Sequence, residues 1–284
     1  MRNHRGFTLV ELMVVLIIML TVTAGMYKLL NTTQRLSRAQ AERVDLQSNV
    51  RTAALVVPSE LREINTVVGG AADKNDITDK QQTSITYRAM RGVGFVCEAV
   101  SASQFRVRID TWSGERTPAI NRDSVYVFFL GTSLTTDSWE HGKITNVSTG
   151  TNCPGAVPAY TLTLNAALAG GVPTVGTPVR TFEVMKLELY NEGGKSWLGA
   201  RSVSGNDPSS QPLLGPLRAV DGFSLQYLNA AGGAAAALGD IKSVKLTVRG
   251  ETSQRVSTGG GNSVNAYMQD SLVTQVSLRN AFRP

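Results

Sequence analysis

Residues 1–30 read MRNHRGFTLVELMVVLIIMLTVTAGMYKLL, and the reading of this stretch decides the rest of the chain. A short basic leader containing Arg2 and Arg5 runs into residues 7–27, which hold one acid, Glu11, and no base. About 20 apolar residues rising ~1.5 Å each are enough to cross a bilayer's hydrocarbon as a helix. A lone carboxylate near the start of such a stretch is expensive in lipid and marks a functional position. A secretory signal has a shorter apolar core followed by a small-residue cleavage site, for which Ala24 and Gly25 are the nearest candidates. An ordinary single-span anchor accounts for the length. Neither explains why Glu11 sits five residues past Gly6.

Composition limits the nature of the remaining chain. At 284 residues the protein can bury a sizeable core in one or two domains. Aromatic residues make up 6%, and Gly, Ser, Thr and Val are frequent, which favours strands and turns over a helical globule. The net charge of +6 falls to +4 without residues 1–6, with 26 basic against 22 acidic side chains. So small a surplus, without a run of Lys or Arg, argues against a nucleic-acid partner.

The run Arg5-Gly6-Phe7-Thr8-Leu9-Val10-Glu11-Leu12 resembles the class III leader of type IV pilins and type II secretion pseudopilins. The resemblance implies a cut by prepilin peptidase between Gly6 and Phe7, and N-methylation of Phe7. It also gives Glu11 the place of the family's glutamate at mature position five. Glycine before the cut lets the backbone extend into a protease without side-chain interference. A cut there leaves the apolar helix attached, so the product stays in the inner membrane, with its head outside the cytoplasm, until an inner-membrane assembly platform extracts it. Glu11, buried among helices in a filament, would cost several kcal/mol if unpaired. Its implied partner is the terminal ammonium of a neighbouring subunit, which makes it a registration device. Lys28, Arg35 and Arg38 follow the span closely, so a plain positive-inside count favours the opposite orientation, and the resemblance overrides it.

Beyond the span the helical pattern continues, with no Gly from 28 to 64 and Pro58 as the only proline. Val50, Ala54, Val57, Leu61, Ile64 and Val68 recur at spacings of four and three, an apolar seam on one helix face. The expectation is a helix of about 60 residues, kinked or interrupted near Pro58 and ended by Gly69-Gly70. The resulting division is a leader (1–6), a transmembrane and filament-core half (7–30), an outer helix half (31–68) and a β-rich extracytoplasmic head (69–284).

Residues 71–82 are polar and read as a loop. Asp73, Asp76 and Asp79 lack the spacing and terminal Glu of a calcium loop, and no metal is expected. Strand-like runs follow at 84–88, 94–100, 104–110, 124–131, 161–168 and 179–190, most of them alternating apolar with polar. Residues 193–196, Gly-Gly-Lys-Ser, invite a phosphate-loop reading, but Leu189 stands where that motif needs glycine, so a hairpin turn is expected. Cys97 and Cys153 lie in a head that should sit where thiols oxidise. A disulfide between them would close a loop worth ~4 kcal/mol by chain entropy; two buried free thiols are the alternative.

A second, looser resemblance begins at 182. The order of segments 182–190, 197–201, 212–214, 220–228, 241–248 and 273–280 is similar to the C-terminal half of PilW-type minor pilins, and less closely to J-type pseudopilins of type II secretion. The helix segment 51–64 resembles theirs too. Departures are Pro58 and an Ala-Gly loop at 230–239 that reads as lengthened and flexible. The family implies an α+β pilin fold, one long helix laid across antiparallel sheet.

Catalytic groups are few. Without residues 1–6 the only histidine is His141, read as a surface-loop residue, and no Gly-x-Ser-x-Gly elbow or dinucleotide fingerprint is present. The chain is therefore read as a non-enzyme without cofactors. The first functional expectation is a minor pilin that joins other minor pilins, the major pilin and a tip adhesin in a priming complex at the pilus tip. The second is a J-type pseudopilin capping a secretion piston. The third is a pilus-borne adhesin or DNA-uptake receptor, for which Trp112 and Arg116 make too small a basic aromatic stripe.

Overall fold

The computed structural model describes residues 8–66, 75–131, 137–257 and 265–279. One helix, α1 (Leu9–Arg62), runs 54 residues, ~80 Å at 1.5 Å per residue. It ends six residues short of the expected boundary, and Val68, Gly69 and Gly70 lie outside the described residues. The early stop has a tertiary cause, because the head takes over the backbone. The Asn65 amide donates to an Asp76 carboxylate oxygen at 2.8 Å, Asp76 N–H returns a bond to Asn65 O at 3.0 Å, and the Thr66 hydroxyl donates to Ile241 O at 2.6 Å. Pro58 does not interrupt the helix, which continues through it to Arg62, with the Pro58 ring buried. The residues that face the head are Leu46, Val50, Ala53, Val57, Leu61 and Ile64; Ala53 occupies the place expected of Ala54.

The head is built from strands. The first run is β1 (Ile77–Lys80), β2 (Ser84–Ser101), β3 (Gln104–Arg108), β4 (Ser113–Gly114) and β5 (Asp123–Phe129). Then come β6 (Ser138–Ser148), β7 (Asn152–Cys153), β8 (Val157–Leu164), β9 (Pro178–Glu192), β10 (Lys195–Ser202) and β11 (Gln211–Leu217). The last are β12 (Phe223–Leu228), β13 (Ser243–Glu251), β14 (Val256–Ser257), β15 (Asn265–Ala266) and β16 (Gln269–Ser277). Apart from the small β14–β15 ladder they form one connected, antiparallel hydrogen-bonded network with two cores.

The first core lies under α1. Strands β1, β2, β9, β10, β11, β13 and β12 follow one another in the sheet, with β16 on the far side of β13. Ala53, Val57 and Leu61 of the helix, with Ile64 just past its end, meet Ile85, Leu198, Phe223, Leu246 and Val276 of the sheet. Burying each of the large apolar side chains stabilises the fold by roughly 1.5–3 kcal/mol. The helix crosses β13 where Gly250 leaves room for it. A Cβ there would lie 2.6 Å from Leu46 Cδ1 and 2.9 Å from Val50 Cγ2, so the close approach requires glycine.

The second core is a closed barrel. β2 pairs with β3, β3 with β8, β8 with β6, β6 with β5, β5 with β9, and β9 returns to β2. Alternate residues point inside: Phe105 and Val107, Val125 and Val127, Leu162, Ile144 and Val179 are all fully buried. The runs expected at 84–88 and 94–100 are one strand, because β2 belongs to both cores. Its first half pairs with β9 under the helix; a bulge at Arg91 bends it into the barrel. β9 makes the same passage in reverse.

Other differences from expectation have local reasons. Residues 77–80 form strand β1 rather than loop, with Asn75, Asp76 and Ile77 buried; Asp73 lies outside the described residues. His141 is in strand β6, not a loop, exposed and 5.6 Å from the Tyr126 ring. The Ala-Gly segment 230–239 is pinned, since Lys80 Nζ donates to the Ala235 and Ala236 carbonyls and Ala235 is buried. Gly193 and Gly194 form the expected hairpin turn, both at positive φ (60° and 74°), between paired Glu192 and Lys195.

Candidate assembly interface

Among the described residues, the large apolar side chains of α1 before Leu46 are all exposed. Its first turn is closed by a capping box. Thr8 Oγ1 accepts from the Glu11 amide at 3.3 Å, and a Glu11 carboxylate oxygen accepts from Thr8 N–H and Oγ1–H, each at 3.1 Å. Glu11 thus satisfies the Thr8 backbone N–H and hydroxyl at the helix start. Gly6 and Phe7 lie outside the described residues.

From Leu9 to Leu30 the large apolar side chains are all half or more exposed, for example Leu9 at 77% and Leu20 at 72%. The segment is long and apolar enough to cross a membrane, and none of it is buried against the head. Thr21, Thr23, Thr32 and Thr33 return their hydroxyls to carbonyls three or four residues back, so their polar groups are satisfied within the helix. A face this large and apolar needs lipid or other helices around it. Residues 1–27 match the family model described as a prokaryotic N-terminal methylation motif. This motif supports a type IV pilin-like amino terminus. No curated protein and no solved structure matches the chain. The motif fits a protein anchored in the inner membrane, processed by prepilin peptidase and assembled with pilus or pseudopilus components.

How α1 is joined to the head follows from two anchors. Near its lower end Glu42 accepts from the Ser253 amide at 2.7 Å, while Asn49 Nδ2 donates to the Gly215 carbonyl at 2.8 Å. At its upper end the Asn65–Asp76 exchange fastens the chain to β1 and β2, because Arg88 N–H also donates to Asp76 O at 2.8 Å. Burial pushes the Asp76 carboxyl above the usual range, and the Asn65 amide and Arg88 only partly offset it. Arg88 donates to Tyr126 Oη and lies over the rings of Tyr126 and Phe182, so this anchor reaches the first strand of the barrel wall.

Between the two cores lies a charged waist that no sequence motif announced. Glu183, 4% exposed on β9, accepts from Arg91 at 3.1 Å, Arg116 at 3.0 Å and Arg122. Arg116 also grips fully buried Asp123 through both guanidinium arms at 2.6 Å, and Arg122 reaches Asp207 at 2.8 Å. Burial raises the Glu183 pKa, but the Ser202 hydroxyl and the Arg122 and Arg116 guanidiniums outweigh it and hold it at about 2. The waist thus pairs a bulge, a strand start and the middle of β9 through charge-assisted bonds.

Cys97 and Cys153 are joined in a disulfide, with Cα atoms 5.7 Å apart. It lies outside the barrel, with Val157 and Ala159 packed around it, and links β2 to the short β7 that pairs with β8. Because β3 stands between β2 and β8, the bridge straps three neighbouring strands. Among the described residues no three His, Cys, Asp or Glu side chains cluster as metal ligands. Asp76 is committed to Asn65, and His141 packs on Tyr126 and Phe182.

Proposed function

We propose that this prepilin is a PilW-type minor pilin, assembling with other minor pilins, the major pilin and a tip adhesin into the complex that primes a type IV pilus and remains at its tip. The observation that carries the reading is the head. A barrel with its own core is added to the sheet that packs on α1, so the head is two cores wide. A shaft repeats its subunit along a continuous helix core and crowds heads of that size, whereas a subunit used once or a few times meets no such limit. The looser likeness of 182–280 to PilW-type chains supports the same reading.

In this proposal prepilin peptidase removes 1–6, cutting between Gly6 and Phe7, and Phe7 is N-methylated. Residues 7–30 anchor the subunit in the inner membrane and later join the filament core. Residues 31–68 couple that anchor to the head at 69–284. On assembly Glu11 exchanges its bonds to Thr8 for the ammonium of a neighbouring Phe7. Such an exchange replaces a local cap with an ion pair inside an apolar core, and it rejects positions where no cation waits.

Deleting the gene and counting surface pili beside type II secretion tests the proposal. Loss of pili with normal secretion, restored by the intact gene, is the expected result. Normal pili with failed secretion would reassign the protein to the J-type pseudopilins.

A further inference from the structure

The barrel presents aromatic side chains that its own core does not use. Phe105 and Phe182 are buried, yet Phe95 is 47% exposed and Trp139 39% exposed. The register puts them in one row. Phe95 pairs with Pro178 across β2 and β9, and Phe128 pairs with Trp139 across β5 and β6. Phe128 lies one step beyond the Val127–Val179 pair, beside Pro178. The row therefore crosses four neighbouring strands, about 14 Å at ~4.8 Å per strand. It is backed by Val125, Val127 and Val179, so the rings stand on a rigid wall.

The next row carries polar groups. Val93 pairs with Arg180, and Arg180 with Tyr126, which pairs in turn with His141. Arg180 lies over the Trp139 ring, 5.3 Å from its centroid, and also acts electrostatically on the Asp76 carboxyl. On its other side it lines a hollow of about 350 Å³ together with Glu63, Glu115 and Arg279. Arg279 and Glu63 meet at only 3.4 Å and are both at least half exposed, so they remain accessible.

We propose that this face is a polysaccharide-binding platform, with sugar rings lying on Phe95, Phe128 and Trp139 and their hydroxyls met at the hollow. Flat aromatic rings on a rigid sheet offer a sugar's C–H face a broad apolar contact. Hydroxyls both donate and accept, and the hollow supplies both partners: Arg180 and Arg279 donate, Glu63 and Glu115 accept. A phosphate backbone only accepts, and the two glutamates would repel it; the platform therefore favours a glycan over a single-stranded nucleic acid. The row is open and extended rather than enclosed, which suits a chain and not a single small sugar. The aromatic row lies on the barrel, and the hollow reaches Glu63 at the C-terminal cap of α1.

The test uses the full-length protein in micelles of a sugar-free amine-oxide detergent. Its probes are an array of neutral and acidic polysaccharides, soluble hyaluronan, and oligo-dT. At least one polysaccharide should bind, and Trp139→Ala and Phe95→Ser should each weaken that binding tenfold or more. The exposed Val220→Ser, at a turn of the other core, should leave it unchanged. Matching thermal midpoints for the variants keep a folding defect from imitating the result. No polysaccharide binding, affinity untouched by both variants, or binding of oligo-dT alone would overturn the proposal.

Discussion

The Glu183 carboxylate should make the waist of the head acid-labile, and Glu183→Gln isolates the effect. Its pKa falls from 4.5 to about 2 because, although burial opposes ionisation, Ser202, Arg122 and Arg116 hold the charged form. At ~1.4 kcal/mol per pKa unit, that difference is about 3 kcal/mol of folding stability. A depressed folded pKa contributes in full above the unfolded value of 4.5 and is lost as pH falls towards 2. Roughly 1.4 kcal/mol should remain at pH 3, and less than ~0.5 at pH 2. Glutamine keeps the shape but not the charge, leaving Arg91, Arg116 and Arg122 around a neutral amide. The variant should therefore be about 3 kcal/mol less stable than the native protein at pH 7, and the two should converge near pH 2. Asp76, whose pKa is raised, has the opposite pH dependence, but it is common to both proteins and cancels in the difference. The measurement is urea denaturation from pH 7 to 2, followed by tryptophan fluorescence. A fragment beginning at residue 31 suits it, since it retains every helix residue that packs on the head. A constant difference between the two proteins across that range would refute the electrostatic account of the waist.

Three further outcomes are expected of the same structure. Leu61→Ala removes a fully buried side chain from between α1 and the sheet and should cost ~2–5 kcal/mol in the same urea assay, with the barrel's core unchanged. Replacing Cys97 and Cys153 together by serine opens a loop of sequence separation 56 and should lower stability by about 4 kcal/mol, read as a drop in urea midpoint. Glu11→Val should leave cleavage after Gly6 intact, seen as the mature band on an immunoblot, while the protein disappears from sheared pili; normal incorporation would end the registration argument.

Much of the architecture was legible because it is written locally. The span and its single acid lie within one run of residues, and α1's seam follows from helical period alone. The hairpin at Gly193-Gly194 was readable for the same reason, since positive φ at both positions calls for glycine. Boundaries depending on partners far along the chain were not. The helix stops at Arg62 because Asp76 and Ile241 claim the backbone beyond it, and no residue near 62 announces this. β6 went unread because its outward positions mix Trp139, His141 and Lys143, which carry no simple alternation.

By itself the sequence determined that the amino terminus carries a prepilin-type methylation motif: a membrane-length apolar run and its one carboxylate are short-range features that survive without a fold. It also set the α+β class, through the switch from helical period to alternating strands after residue 83. Only the tertiary structure decided that β2 and β9 serve two cores, that the strands between them close into a barrel, and that Glu183 collects three arginines. The cause is distance along the chain. Arg91, Arg116, Arg122 and Glu183 are spread over 92 positions, and only strand pairing and a bulge bring their charges within hydrogen-bonding reach. The exposed row of Phe95, Phe128 and Trp139 comes from the same cause: three separate hydrophobic positions become one surface only when β2, β9, β5 and β6 lie side by side.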